Sequence, residues 1–150
     1  MEGPAQEGNP SLVSLKLLEN TDQLDVVMPW ISYVSRAVVD AESRIVAPAR
    51  KKNMGVIAMK VLGGRGQLAD DYDRAFRYAL SVPGVACAII GTGNVQEVRR
   101  AVQAAKEFRP LTDGEMQESI ALGQKLAAMQ SPKAMLLHKL MLRDSGGQIA

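Results

Sequence analysis

The chain has 150 residues, 47% of them hydrophobic and 23% charged, with a formal net charge of +2, which suits one packed globular domain. Its basic residues are dispersed among acidic ones apart from Arg50-Lys51-Lys52 and Arg99-Arg100, so composition argues against a nucleic-acid partner. A lone Cys87 excludes an internal disulfide and a cysteine metal site. No run reaches the roughly 18 apolar residues of a membrane span, and residues 1–10 lack the basic-then-apolar layout of a signal peptide. A cytoplasmic protein without metal or membrane contact is the expectation.

Residues 1–9 carry two glycines, a proline and polar side chains and form a flexible lead-in. Ser11 can cap a short helix with Leu12, Leu15 and Leu18 on one face, ended by Asn20-Thr21-Asp22. The valine-rich run 24–30, closed by Pro29 and Trp30, predicts a strand. Residues 32–40 carry no clear period. A helix is expected over 42–53, where Pro48 must either kink it or lie in a first turn. Residues 55–60 predict a second, buried strand, and Leu62-Gly63-Gly64-Arg65-Gly66 a flexible loop. Asp70 or Asp71 then caps a helix with Ala75, Phe76, Ala79 and Leu80 on one face, broken at residues 81–84. A third strand spans 85–90 and a helix 95–108. Thr112 with Glu115 is a capping box that opens a helix to about Met129. Ser131-Pro132 can start one more helix, and Gly146-Gly147 ends in a loose tail.

Strand-plus-helix units thus recur roughly every thirty residues. Alternating strands and helices imply parallel pairing with right-handed crossovers. The fold class is α/β, and the regular spacing suits a (β/α) barrel at least as well as a doubly wound sheet. In either, the loops after the strands share one edge, where such folds place their sites. Three strands cannot close a barrel of eight strands and about 250 residues.

The most organised stretch runs from Ala86 to Arg100. Residues 86–90 are small and apolar, as in a strand covered on both faces, with Cys87 a small core residue. Gly91 and Gly93 allow a sharp backbone turn and close approach. Asn94 with Glu97 forms a capping-box-like pair, so a helix starts at Val95. Its N–H groups and dipole would favour an anion, above all a phosphate. A plain strand-to-helix connection explains the same residues.

The ordered segments Gly55-Val-Ile-Ala-Met-Lys-Val-Leu-Gly-Gly64, Ala75-Phe-Arg-Tyr-Ala-Leu-Ser-Val-Pro-Gly-Val85 and Ile89-Ile-Gly-Thr-Gly93, followed by Phe108-Arg-Pro-Leu-Thr112 and Glu115, resemble the aldo-keto reductase family, in its bacterial branch. The resemblance implies part of a (β/α)8 TIM barrel, about three βα units corresponding to strands six to eight. Residues 10–110 would be this C-terminal portion of the barrel and 111–150 a C-terminal helical extension. It implies an oxidoreductase that uses NADP(H) and a small-molecule carbonyl substrate. Cofactor contacts carried over from the loops after strands seven and eight fall on Lys60, Leu62, Gly63, Gly91, Thr92, Gly93, Asn94 and Glu97. Arg100 stands where it would meet a 2′-phosphate or remain a solvated helix residue.

The family's catalytic Asp, Tyr, Lys and His come from its first four strands, and that sequence is absent here. No catalytic residue is therefore assigned: Tyr33, Lys60 and His138 do not substitute. The expectation is a cofactor-binding segment, inactive alone, that needs the N-terminal half to act on a carbonyl. The alternative is a non-catalytic nucleotide-binding or interaction module that assembles through open barrel edges.

Overall fold

A computed structural model describes residues 10–129 apart from residue 65. The lead-in, the helix expected at Ser131-Pro132, His138 and the glycine tail lie outside the described residues. Three parallel strands, β1 (Val26–Val27), β2 (Gly55–Ala58) and β3 (Val85–Ala88), pair in the order β1-β2-β3. The register sets Val26 opposite Gly55, Val56 opposite Val85 and Ala58 opposite Ala88. Between Val56 and Ile57 the pairing slips, because Ile57 faces Cys87; Ala86 is the extra residue of a bulge.

The strands are shorter than the apolar runs that predict them. Pairing nevertheless continues past their ends: Met59 N donates to Pro29 O at 3.0 Å, Ile31 N to Met59 O at 3.0 Å, and Ile89 N to Ala58 O at 2.8 Å.

The connections are helical. The first helix, α1 (Pro10–Asn20), begins before Ser11, so Ser11 lies within it and does not cap it. The unassigned stretch after Trp30 is α2 (Tyr33–Val39). Ser32 caps it by accepting Ser35 N, while the Ser35 hydroxyl accepts Ser32 N at 2.9 Å, and Asp40 ends it at φ 48°. The helix expected over 42–53 divides into a π-helical turn, Glu42–Val46, and α3 (Ala47–Lys51). Pro48 lies in the first turn of α3, where its missing N–H costs no intrahelical bond. The wider turn before it closes through Ala47 N to Glu42 O.

A 3₁₀ turn, Ala69–Asp71, leads into α4 (Tyr72–Ser81). Asp71 occupies the cap position without a side-chain cap bond. Its carboxylate instead accepts from the Tyr33 hydroxyl at 3.0 Å and lies 3.2 Å from Arg74 Nε, so tertiary contact has displaced the local cap. Helix α5 spans Val95–Lys106 and α6 Asp113–Met129. The Thr112–Glu115 box opens α6 as expected: Thr112 N donates to Glu115 Oε2 at 2.8 Å and Glu115 N to Thr112 Oγ1 at 3.3 Å.

The core lies between the sheet and α2, α3 and α4, with Ile31, Ile45, Val46, Val56, Val61 and Tyr78 fully buried. Two polar contacts fix the helices around it. The Tyr78 hydroxyl donates to Glu42 Oε1 at 2.7 Å; burial raises the Glu42 pKa, opposed by that bond and by Arg36. Arg77, only 8% exposed, holds both carboxylate oxygens of Glu115 at 2.9 and 3.1 Å and the carbonyls of Arg109 and Pro110. Helix α6 packs on α2 so closely that a Cβ at Gly123 would collide with the Tyr33 carbonyl.

The β3–α5 side differs. Cys87, expected in the core, is exposed, and so are Ala86 and Ile89. The outer edge of β3 pairs with no described strand; Val85 and Ala88 still pack partly buried against the core. No residue of α5 is buried. Among the described residues no helix is long and apolar enough to cross a membrane, and no cluster of ligating side chains could hold a metal ion.

Candidate functional site

The C-terminal ends of β1, β2 and β3 lead into residues 30–33, 60–66 and 91–94. Lys60 turns the chain out of β2 at φ 55°, a left-handed conformation uncommon outside glycine. Gly63 N donates back to Lys60 O at 2.8 Å and closes a tight turn. Gly63 itself has φ 77°, and a Cβ there would run into the Gln67 side chain, so this glycine is required by the turn. Leu62 packs half-buried against the core and its carbonyl accepts Leu68 N at 3.0 Å, which fixes the far end of the loop.

This loop and the end of β3 enclose a cavity of about 300 Å³, lined by residues 59–64, 66 and 89–91. Four expected site residues, Lys60, Leu62, Gly63 and Gly91, therefore meet although the two loops are some thirty residues apart in sequence. Among the described residues Lys60 is the cavity's single titratable lining side chain and has no ion-pair partner. A Cβ at Gly91 would meet only open space. An ammonium beside glycine backbone is a setting for an anion.

Thr92, Gly93, Asn94 and Glu97 continue from Gly91 along the surface, outside that lining. The chain bends at residues 93–94 as it enters α5, but neither Gly91 nor Gly93 has a positive φ; Lys60, Gly63 and Gly66 carry left-handed positions. Asn94 is the cap of α5, accepting Glu97 N at 2.9 Å. Glu97 returns two bonds, accepting Gly93 N at 2.7 Å and Asn94 Nδ2 at 2.8 Å. The capping reading of this pair is correct, and it places a carboxylate on an amide expected for phosphate. Arg100 lies elsewhere, with its guanidinium 4.3 Å from the centre of the Tyr72 ring.

The expected cofactor loop, Lys60 to Gly66, includes Gly64 and Gly66; sequence reasoning missed the flanking Met59, Ile89 and Ile90, which line the cavity only because β2 and β3 are neighbours. It also missed a second cavity, of about 260 Å³, between Trp30, the α2 residues Val34, Val38 and Val39, and the same 60–67 loop. The available signal was Trp30, at the end of its strand on the shared edge.

No protein-family model matches the sequence, and no curated protein matches it. Solved structures do. The holo form of the aldo-keto reductase AKR11C1 from Bacillus halodurans superposes with a TM-score of 0.54 at 17% identity, over 77% of this chain and 47% of that one. Its apo form gives 0.56 at 17% identity, over 77% and 48%. The fold is aldo-keto-reductase-like. At this identity the likeness concerns the fold alone, and the chain spans about half the length of the structures it matches.

Proposed function

We propose that the chain forms the last three βα units of an aldo-keto reductase barrel of the bacterial branch, and that its mouth cavity holds the phosphate portion of NADP(H). The observation that carries this reading is the cavity joining the loops after β2 and β3, at the C-terminal ends of neighbouring parallel strands, where open and closed parallel sheets bind their ligands. Lys60 supplies the charge. Gly63 shapes the loop, and Gly91 leaves room for close backbone approach. When bound, the nicotinamide supplies a hydride; this chain's residues bind and orient the phosphates. Gly93 and Asn94 take part only where Glu97 gives up their hydrogen bonds.

Among the described residues the cavity's lining carries no carboxylic acid, tyrosine or histidine to deliver a proton to a developing alkoxide. Reduction of a carbonyl thus depends on the N-terminal half of the fold, and the chain by itself is inactive. The uncovered edge of β3 favours assembly as a companion reading, in which further strands of the same fold, or an oligomer, adjoin that edge. A cytoplasmic setting suits an exposed thiol at Cys87.

Titration with NADPH followed by amide NMR tests the site. Shifts are expected first at Lys60, Gly63 and Gly91, with a Kd on the order of millimolar to tens of micromolar. Gly91→Val should weaken binding about tenfold, and Arg100→Ala should leave it unchanged. Shifts confined to α6, or equal losses from both variants, would refute the site.

A further inference from the structure

Away from the strand mouths, three charged side chains meet where α2 ends and the π-helical turn begins: Arg36, Asp40 and Glu42. Arg36 Nη1 lies 3.7 Å from Asp40 Oδ1 and 3.8 Å from Glu42 Oε2, near enough for charge attraction but too far for a hydrogen bond. The other oxygen of each carboxylate is engaged. Asp40 Oδ2 accepts the Ser43 hydroxyl, and Glu42 Oε1 accepts the Tyr78 hydroxyl at 2.7 Å. Asp40 Oδ1 and Glu42 Oε2 are both buried with no hydrogen-bond donor among the described residues.

Such an arrangement lacks one positive charge. Two carboxylates face a single guanidinium, and no other ion pair reaches either of them among the described residues. A buried anion short of donors and counter-charge is costly. One proton on Glu42 Oε2 removes the surplus charge and turns an unpaired acceptor into a donor, on the same Arg36 nitrogen as the unpaired acceptor Asp40 Oδ1. It falls to Glu42 because that side chain is 8% exposed and the Asp40 side chain 44%. Burial, with Asp40 as a like charge, pushes the Glu42 carboxyl above its ordinary 4.5, against the Tyr78 bond and Arg36. The ionisable groups acting on it are thus Arg36 and Asp40 at the end of α2 and Tyr78 of α4. Lys16 and Glu19 of α1, Arg44 of the same turn, and Arg50 and Lys51 of α3 are exposed.

We propose that Glu42 is a proton-operated latch: with its proton in place it closes the corner between α2, the π-helical turn and α4, and its ionisation loosens that corner. Asp40, at φ 48°, and the wide turn opened by Glu42 are the irregular backbone positions that join α2 to α3, so the charge appears where the chain is least regular. Helix α2 also walls the second mouth cavity through Val34, Val38 and Val39, and a loosened corner frees that wall. The folded value is raised, so the stabilisation is fully present below the unfolded 4.5 and is lost as pH rises through the folded value. The latch stands without the nucleotide reading.

Carbon-13 NMR of the glutamate carboxyls in the full 150-residue chain tests the proton directly. Glu42 should titrate above 4.5. Asp40→Asn should lower that midpoint, and Arg36→Met should raise it. Protection of the amides of residues 40–46 against exchange should fall about tenfold between pH 5 and pH 7. Glu42→Gln, a neutral isostere that keeps an acceptor for Tyr78, should retain the protection at pH 7 and show no step. A merely structural Glu42 would leave the Gln variant no better protected than the parent at pH 7. That result, a parent midpoint at or below 4.5, or a midpoint unmoved in Asp40→Asn would overturn the proposal.

Discussion

The α2–α6 side and the β3–α5 side of this molecule are packed to opposite extents. Helix α6 buries Ser119 and Gly123 against α2 and is tied to α4 through Glu115 and Arg77. Helix α5 buries nothing, and Val95, Val98 and Val102 remain 66%, 45% and 48% exposed. The strands show the same contrast. The outer edge of β1 is flanked by Asp25 and Pro29, residue types that blunt an edge against further pairing. Residues 85–89 contain neither a charge nor a proline, and their edge stays open. Periodicity thus gives a helix an apolar face without giving that face a neighbour. The helical α2–α6 face is finished within this chain, the β3–α5 face is not, and both outer strands, β1 and β3, lack a further described partner.

The largest expected effect breaks the finished side. Gly123→Ala should cost about 3 kcal/mol or more in chemical denaturation, because the added methyl meets backbone rather than a yielding side chain. Gly114→Ala in the same helix has open space and should cost nothing or stabilise slightly. Similar costs for the two would show that the helices are not in close contact.

A smaller, pH-dependent effect is expected at the Arg77 staple. The Arg77 hydrogen bonds, aided by those from Thr112, hold the Glu115 carboxyl at about 2, below its ordinary 4.5. The folded pKa is depressed, so the stabilisation is fully present above the unfolded value and is lost as pH falls from about 4.5 through about 2. Amide exchange in α6 should accelerate over that window in the parent chain and show no such step in Glu115→Gln. A step of equal size in the variant would assign it to another group.

The smallest effect should come from the open side. Val98→Asp ought to change stability by no more than about 0.5 kcal/mol, since nothing packs on that exposed position. The same change at Val34, 5% exposed, should unfold the chain. A loss above 1 kcal/mol at Val98 would mean that α5 is covered after all.

Much of this architecture is legible in the residues. Asn94 with Glu97 and Thr112 with Glu115 determine two helix starts by themselves, because a cap is satisfied within one turn. The valine- and alanine-rich runs determine three strands, and the regular spacing determines parallel crossovers. The glycine-rich 62–66 stretch announces a turn, though not that Lys60 would share its left-handed conformation. What the tertiary structure alone decided is what depends on a neighbour. Asp71 gave up its cap for Tyr33, Gly123 became a helix contact, and Cys87 of β3 was left exposed. Lys60 and Gly91 entered one cavity, and Trp30 another, only because parallel pairing aligns strand ends that lie about thirty residues apart. Local hydrogen bonds are closed by residues three or four apart and can be read directly; burial and cavity lining are properties of pairs brought together by the sheet, and no short stretch of sequence contains both members.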